Sequence, residues 1–168
     1  MENFKCGFVV ITGPTNSGKS TMLNAFMGEK LSIVSNKPQT TYHGIRGVQT
    51  TSEYQMVFTD TPGIQNYPQA IPRLLNKVAE TRSEGCDVAL WVFDASNPAA
   101  MRQIEKLRPK IEKGIPKEKR ICALNKVDVV KKENLLPIIE AISKLELFGE
   151  IFPMSAKKGS NVDALKKF

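Results

Sequence analysis

An octapeptide near the N-terminus constrains the fold of this chain more than any other feature. Residues 13–20 read GPTNSGKS, which fits the pattern GxxxxGK[ST], and they stand between an apolar run and a segment of helical period. A strand that turns tightly into a helix aims successive backbone N–H groups and the helix N-terminus at one point. Such a turn binds phosphate, so the pattern predicts a phosphate-binding loop. Its residues are Gly13, Pro14, Thr15, Asn16, Ser17, Gly18, Lys19 and Ser20.

Four residues of this loop have predicted roles. Gly13 and Gly18 permit the tight turn, which a bulky side chain would block. Lys19 is expected to reach the β- and γ-phosphates of a nucleotide, and the Ser20 hydroxyl is expected to ligate Mg²⁺, a hard cation that prefers oxygen. The alternative is a glycine-rich turn with an exposed lysine, but the flanking strand and helix favour the phosphate loop.

Apolar runs and helical periods alternate along the sequence. Three unbroken apolar runs have the length of strands that are buried on both faces, which predicts parallel strands at the centre of a sheet. Segments of helical period lie between and after them, as in a doubly wound fold. The runs are 8–11, 88–93 and 121–124, and the helical segments are 20–27, 71–79, 101–111 and 135–147.

Two further patterns complete the predicted sheet. Residues 45–51 and 54–59 predict a hairpin that adds one antiparallel edge strand. Residues 151–154 predict the last strand, and Ser160 with Asp163 predicts the capping box of a final helix. The predicted fold is therefore α/β in three layers, the P-loop NTPase fold, with a six-stranded, mostly parallel sheet and helices on both faces.

The cysteines, the first residues and the net charge indicate what kind of protein this is. Cys6, Cys86 and Cys122 are odd in number and far apart, which favours reduced packing residues in a cytoplasmic protein over disulfides or a zinc site. The first residues contain neither a signal peptide nor a transmembrane segment. The net charge of +7 would suit an anionic partner, but the lysine pairs at 131–132, 157–158 and 166–167 are scattered and lack interleaved aromatic residues, so we interpret most of them as parts of solvated helix faces.

A second motif indicates which nucleotide is bound. Asn125-Lys126-Val127-Asp128 follows the predicted strand 121–124 and therefore emerges at the same sheet edge as the phosphate loop. The Asp128 carboxylate can accept hydrogen bonds from both N1–H and N2–H₂ of guanine, whereas adenine would leave it unpaired. Ser155-Ala156-Lys157, after the last strand, is expected to add a backbone N–H toward guanine O6.

Two polar segments are predicted to sense the γ-phosphate. Asp60-Thr61-Pro62-Gly63 follows a predicted strand, so that Asp60 would hold the water shell of the magnesium ion and the Gly63 N–H would meet the γ-phosphate. Between the first helix and the second strand, Thr41 rather than Thr40 is expected to ligate the metal. Both segments would order around the γ-phosphate and relax after its hydrolysis. The single histidine, His43, is interpreted as solvated.

Five segments in this order, GPTNSGKST, KPQTT, DTPG, NKVD and SAK, resemble the Era family of bacterial GTPases. KPQTT is the discriminating segment, because the Der and TrmE types usually carry a stretch similar to PGVTRD there. The resemblance identifies residues 1–168 as a G domain and implies a molecular switch that binds GTP and hydrolyses it to GDP and phosphate. It extends phosphate binding to Thr21 and implies an effector loop at Gln39–His43. It also assigns base recognition to Asn125, Lys126 and Asp128.

The same resemblance implies two cations. Mg²⁺ is expected at Ser20, Thr41 and, through water, Asp60. A K⁺ ion at Asn16 would supply positive charge at the transition state, although the same asparagine could simply shape the loop. Ile64 follows DTPG, so the glutamine that orients water in Ras-like proteins is absent. Because an arginine finger contributes roughly 10⁵-fold in rate and no residue obviously replaces it, we expect slow turnover.

The resemblance also implies partners. Family members carry a C-terminal KH domain that binds small-subunit ribosomal RNA, and we expect this domain to be absent from the chain. Assembly of the small ribosomal subunit and peripheral membrane association are thus implied for the parent protein only.

Two other functions stay open on the sequence alone. An ATP-using P-loop enzyme, such as a small-molecule kinase, would need an acceptor site and usually an arginine-rich lid, and the NKVD segment argues against it. A nucleotide-dependent interaction module would bind the nucleotide without hydrolysing it. Binding of GTP, GDP and ATP distinguishes the first function from a GTPase, and phosphate release distinguishes the second.

Overall fold

The computed structural model describes residues 4–28, 45–60, 86–113 and 115–168. These residues contain six strands and four helices. The strands are β1 (Lys5–Thr12), β2 (Ile45–Thr50), β3 (Tyr54–Asp60), β4 (Val88–Asp94), β5 (Arg120–Asn125) and β6 (Glu150–Pro153). The helices are α1 (Lys19–Met27), α2 (Ala100–Glu112), α3 (Lys132–Lys144) and α4 (Val162–Lys167), with short 3₁₀ turns at Lys117–Lys119 and Val127–Val129. The predicted helix 71–79 lies outside the described residues.

The six strands form one sheet in the order β2-β3-β1-β4-β5-β6. All neighbouring pairs are parallel except β2 and β3, which are antiparallel. The three strands predicted from unbroken apolar runs, β1, β4 and β5, all lie inside the sheet, and the predicted hairpin supplies the antiparallel edge strand. The predicted fold is confirmed.

Side chains of the central strands alternate between two apolar layers. Leu90 and Val92 of β4 face a core that includes Met22 and Phe26 of α1. Trp91 and the other alternate residues of β4 face a second core that contains Ile104 of α2 and Ile142 of α3. Because helices cover both faces, the middle positions of β4 and β5 are buried, and apolar residues suit them. The sheet therefore has helices on each side, as predicted.

The N-terminus of α4 differs from the prediction. The helix begins at Val162, and its N-cap is Asn161, whose φ of 60° lies in the left-handed region and whose side chain makes no capping hydrogen bond. The carbonyl oxygen of Ser160 instead accepts a hydrogen bond from the Ser155 N–H over 3.1 Å. The predicted capping box of Ser160 and Asp163 is therefore wrong, because Asn161 rather than Ser160 is the N-cap.

The three cysteines differ in exposure. Cys122 is buried in β5 and Cys86 is partly buried, so the packing interpretation fits both residues. Cys6 is exposed on β1, where its sulfur lies 3.7 Å from Oε1 of Gln55 on β3. The packing prediction is wrong for Cys6, because the first residues of β1, Lys5 and Cys6, are exposed.

The carboxyl ends of the parallel strands bring the predicted motifs to one edge of the sheet. Ile11, near the end of β1, pairs with Asp60 at the end of β3, and Asp94 at the end of β4 pairs with Asn125 at the end of β5. No helix in the described part of the chain is long and apolar enough to cross a bilayer.

Candidate functional site

The phosphate loop joins β1 to α1 and contains two glycines in backbone conformations that other residues rarely adopt. The φ angles are 140° at Gly13 and 97° at Gly18. A Cβ atom at Gly13 would overlap the backbone carbonyl oxygen of Val92, and one at Gly18 would overlap Nδ2 of Asn125. Both glycines are thus required by the close approach of β4 and β5 as well as by the tight turn.

The helix N-terminus beside this loop suits an anion. Gly18 is the N-cap of α1, no side chain caps it, and the first turn contains no acidic residue. Backbone N–H groups and the positive end of the helix dipole therefore lie at this point, and the first turn of α1 adds no competing carboxylate. Ser20 and Thr21 of the same turn are exposed, so the Ser20 hydroxyl is accessible to a ligand. These observations fit a bound phosphate group with a magnesium ion beside it.

Lys19 folds back over the loop that precedes it. Its Nζ donates hydrogen bonds to the carbonyl oxygens of Gly13 over 3.1 Å and Pro14 over 2.6 Å. The Ser17 hydroxyl donates to the same Pro14 carbonyl over 3.0 Å. The ammonium group therefore lies against the turn of the phosphate loop.

Asn125 connects three loops of the site. The residue is 2% exposed. Nδ2 donates to the Ser17 carbonyl over 2.9 Å, and Oδ1 accepts the Ala156 N–H over 3.0 Å. Sequence analysis assigned Asn125 to the base, but in the structure its amide joins the phosphate loop to the 155–157 segment. The Ala156 N–H is likewise engaged by Asn125, whereas Lys157 is exposed.

Lys126 spans the same loops from outside. It has a φ of 64°, and its Nζ donates to the Asn16 carbonyl over 2.7 Å and to Oδ2 of Asp94 over 2.6 Å. The other carboxylate oxygen of Asp94 accepts hydrogen bonds from Ser96, over 2.9 Å from its N–H and 2.6 Å from its hydroxyl. Partial burial by itself raises the pKa of Asp94, but the hydrogen bonds from Lys126 and Ser96 outweigh it, and the pKa is lowered.

Sequence analysis did not identify Asp94. The available signal was its position at the end of an apolar strand, on the sheet edge where the other motifs emerge. That signal is weak, because aspartate is common where strands end in turns.

Asp128 lies in the turn Val127–Val129 and is exposed. The turn is fixed to the end of β6, because the Val127 N–H donates to the Met154 carbonyl over 3.2 Å. Ser155, which follows Met154, is fully buried, and its hydroxyl accepts the Lys158 N–H over 3.1 Å. The Asp128 carboxylate is thus accessible to a ligand, while the backbone that carries it is held in place.

Several predicted site residues lie outside the described part of the chain. They are Thr40, Thr41, His43, Thr61, Pro62 and Gly63, together with the rest of the predicted effector loop. The backbone of Asp60 is described, and it ends β3 beside the phosphate loop. Among the described residues, no group of three or more His, Cys, Asp or Glu side chains could hold a metal ion.

A family profile and several curated proteins match this chain. Residues 8–126 match the family described as 50S ribosome-binding GTPase. GTPase Era of Marinobacter nauticus is 43% identical over 166 residues, which cover 96% of this chain and 52% of that protein. GTPase Era of Vibrio cholerae is 42% identical over 170 residues, which cover 99% and 50%. The chain thus spans about half the length of these relatives.

Solved structures of Era are also similar to this chain. A crystal structure of Era with MgGDPNP and nucleotides 1506–1542 of 16S ribosomal RNA has a TM-score of 0.69 at 36% identity, over 98% of this chain and 55% of that chain. An Era variant from Aquifex aeolicus bound to GDP and AlF₄⁻ has a TM-score of 0.64 at 35% identity, over 97% and 55%. The G domain of the T. maritima FeoB iron transporter, with a TM-score of 0.65 at 24% identity over 96% and 95%, shares the fold.

Proposed function

The chain belongs to the GTPase family described as 50S ribosome-binding GTPases, with the sequence of an Era-type GTPase domain, and we propose that it binds GTP with Mg²⁺ and hydrolyses it to GDP and phosphate. The proposal concerns this domain, which corresponds to about half of its curated relatives.

One observation carries the proposal. The Asn125 side chain joins the phosphate loop to the segment that carries Asp128, through a hydrogen bond of 2.9 Å to the Ser17 carbonyl. The helix N-terminus at Gly18 and the exposed Asp128 carboxylate therefore belong to one connected site. This arrangement supports a ligand with phosphates at one end and hydrogen-bond donors at the other, and a guanine nucleotide has both.

At the phosphate end, Lys19 would change partners when the nucleotide binds. Its ammonium group now donates to the neutral carbonyl oxygens of Gly13 and Pro14. Phosphate oxygens are charged and therefore stronger acceptors, so they would take these hydrogen bonds. Gly13 through Thr21 would surround the phosphates, and the first N–H groups of α1 would donate to them.

At the metal position, the Ser20 hydroxyl is the described side chain that would hold Mg²⁺. A bound magnesium ion would neutralise part of the charge on the β- and γ-phosphates. We assign further contacts to Thr41 and Asp60, the latter through water, and the γ-phosphate contact to Thr61-Pro62-Gly63.

At the base end, Asp128 would accept the N1–H and N2–H₂ donors of guanine. Adenine offers neither donor, which disfavours the ATP-using alternative by roughly 10⁴-fold or more in a site built for these hydrogen bonds. Lys126 would flank the base, and the segment Ser155-Ala156-Lys157 would close the site beside O6. Asn125 would act indirectly, by holding these segments together.

Turnover is expected to be slow and to respond to K⁺. The residue after Gly63 is Ile64, so the position holds no glutamine that could orient the attacking water. An arginine finger lowers the activation free energy of hydrolysis by about 7 kcal/mol in other GTPases, and we assign no residue of this chain to that role. Asn16 lies exposed on the phosphate loop, where a potassium ion would add positive charge near the phosphates.

Ribosomal RNA is the proposed macromolecular partner of the protein that contains this domain. The Era structure that this chain resembles is a complex with part of the 16S ribosomal RNA. We therefore propose a role in assembly of the small ribosomal subunit, which ribosome sedimentation would test. The family resemblance alone supports a cytoplasmic location and peripheral membrane association, which cell fractionation would test.

Calorimetric titration tests the proposal directly. Nucleotide-stripped protein in Mg²⁺ is titrated with GDP, GTP and ATP in turn. We expect the guanine nucleotides to bind, ATP to bind more weakly by roughly 10⁴-fold, and phosphate to be released slowly from GTP, faster in K⁺ than in Na⁺. Equal binding of ATP and GTP would contradict the base assignment, and binding without phosphate release would favour the interaction module.

A further inference from the structure

We propose that Asp94 is a positioning residue of the nucleotide site, which holds Lys126 against the phosphate loop and thereby slows release of a bound guanine nucleotide. This inference rests on the proposed function. Asp94 belongs to none of the motifs from which that function was argued, and its role follows from its contacts alone.

The sheet places Asp94 beside the base segment. Asp94 ends β4 and pairs in register with Asn125, which ends β5. The Ala95 N–H donates to the Asn125 carbonyl over 2.8 Å, which joins the two strands just beyond their ends. Lys126 therefore leaves the sheet next to Asp94, and its Nζ lies 2.6 Å from Oδ2.

Lys126 needs such a partner. A lysine side chain is long and flexible, and this one is 37% exposed. Its Nζ donates to Asp94 and, over 2.7 Å, to the Asn16 carbonyl of the phosphate loop. A carboxylate is the stronger acceptor, so Asp94 fixes the ammonium group at the point where it can also reach Asn16. The pair thus connects β4, the base segment and the phosphate loop.

Asp94 is itself rigid. Its Oδ1 accepts two hydrogen bonds from Ser96, and its backbone carbonyl accepts the Asn97 N–H over 3.1 Å. The Asp94 side chain is 15% exposed, so less water competes for it than for an ordinary surface ion pair. Because each carboxylate oxygen has its own partner, the contact to Lys126 and the contact to Ser96 can be removed separately.

The test measures release of a fluorescent GDP analogue, mant-GDP, from the full chain in Mg²⁺ by stopped flow. We expect Asp94→Asn to raise the dissociation rate about tenfold, because a neutral amide holds an ammonium group less well than a carboxylate does. Ser96→Ala is the matched control. It removes the hydroxyl hydrogen bond to Oδ1 but keeps the Ser96 N–H on the same oxygen and Lys126 on Oδ2, so Asp94 stays in place and the rate should change less than twofold.

A double-mutant cycle separates positioning from a general structural effect. In a Lys126→Met background, Asp94→Asn should change the rate less than twofold, because the group that it positions is gone. An equal tenfold effect in both backgrounds would overturn the proposal, and so would an unchanged rate in Asp94→Asn. Should Asp94→Asn fail to fold by circular dichroism, Asp94→Glu replaces it. Because Glu keeps the charge but moves it, we expect an increase of about threefold that Lys126→Met abolishes.

The two proposals fail differently. If the wild-type chain binds no mant-GDP, the proposed function is overturned together with this inference. If the wild-type chain binds it and the Asp94 variants release it at the wild-type rate, only the role of Asp94 is overturned.

Discussion

The Nδ2 atom of Asn125 donates a hydrogen bond to the carbonyl oxygen of Ser17 over 2.9 Å, although the two residues lie 108 positions apart in the sequence. The same amide accepts the Ala156 N–H, so one buried side chain connects loops that follow β1, β5 and β6. Stability of the fold and geometry of the site therefore depend on the same residue.

Replacement of Asn125 should lower stability and nucleotide affinity together. Asn125→Ala leaves the Ser17 carbonyl and the Ala156 N–H without their partner in the interior, which costs about 3 kcal/mol. Urea unfolding followed by circular dichroism measures this loss. Asn134→Ala, at an exposed position of α3, should change the free energy of unfolding by less than about 0.5 kcal/mol. A similar small effect at Asn125 would contradict the bridging role.

Replacement of either glycine of the phosphate loop by alanine should cost more stability than the same replacement at a glycine that has no close neighbours. Gly13→Ala meets the backbone oxygen of Val92, which cannot rotate away, so we expect a loss above about 3 kcal/mol. Gly18→Ala displaces the Asn125 side chain and should cost nearly as much. Gly159 has a φ of 74°, and no neighbouring atom lies within 4 Å of the position that a Cβ would occupy, so Gly159→Ala should cost only about 1 kcal/mol.

Thermal unfolding by calorimetry ranks these three variants. In a chain of this size 1 kcal/mol corresponds to roughly 2–4 °C in Tm. Equal Tm values for Gly13→Ala and Gly159→Ala would show that close approach by β4 does not constrain the loop.

The central sheet could be predicted because strands that are buried on both faces consist almost entirely of apolar residues. β4 and β5 each contain an unbroken run of apolar residues. These runs are buried between α1 and α4 on one face of the sheet and α2 and α3 on the other. A pattern of this kind fits few positions other than the centre of a parallel sheet.

That the phosphate loop, residues 125–128 and residues 155–157 emerge at one edge of the sheet could also be predicted, but the contacts among them could not. The contact between Asp94 and Lys126 spans 32 residues, and nothing in the sequence marks one as the partner of the other. The prediction of a capping box for α4 was wrong for a related reason. Asn161 adopts a left-handed conformation and donates to the Pro153 carbonyl over 2.8 Å, so long-range contacts replaced the local capping pattern.

The three cysteines should react with iodoacetamide in a fixed order. Cys6 is exposed and should be alkylated first. Burial, reinforced by the nearby Asp87 carboxylate, raises the pKa of Cys86 to about 11, so its reaction at pH 8 should be slow. Burial also raises the pKa of Cys122, which should react only after unfolding. Mass spectrometry of timed samples gives the order, and early alkylation of Cys122 would contradict its position in the core.

The ion pair of Asp94 should make stability depend on pH in the acidic range. Its pKa is lower in the folded chain than in the unfolded chain, where it is about 4, so its contribution is complete above pH 4 and is lost as the pH falls through the folded value. Because Lys126 is more than one-third exposed, we expect a contribution of only about 1 kcal/mol.

Urea unfolding of the wild type and Asp94→Asn at several pH values checks this sign. The difference in free energy of unfolding should be constant from pH 7 to pH 5 and should shrink below pH 4. A difference that grows as the pH falls would contradict the assignment.

Replacement of Asp128 should change the choice of base without changing stability. The carboxylate is exposed, so Asp128→Asn should alter the free energy of unfolding by less than about 0.5 kcal/mol. An asparagine amide can donate to O2 of xanthine, whereas it meets the N2–H₂ donor of guanine with a donor of its own. We expect GDP binding to weaken by about 100-fold, roughly 2.7 kcal/mol, and XDP binding to strengthen. Asp163→Asn, at an exposed position of α4, should leave both affinities unchanged. Calorimetric titration with GDP and XDP measures the preference, and an unaltered ratio in Asp128→Asn would mean that another group selects the base.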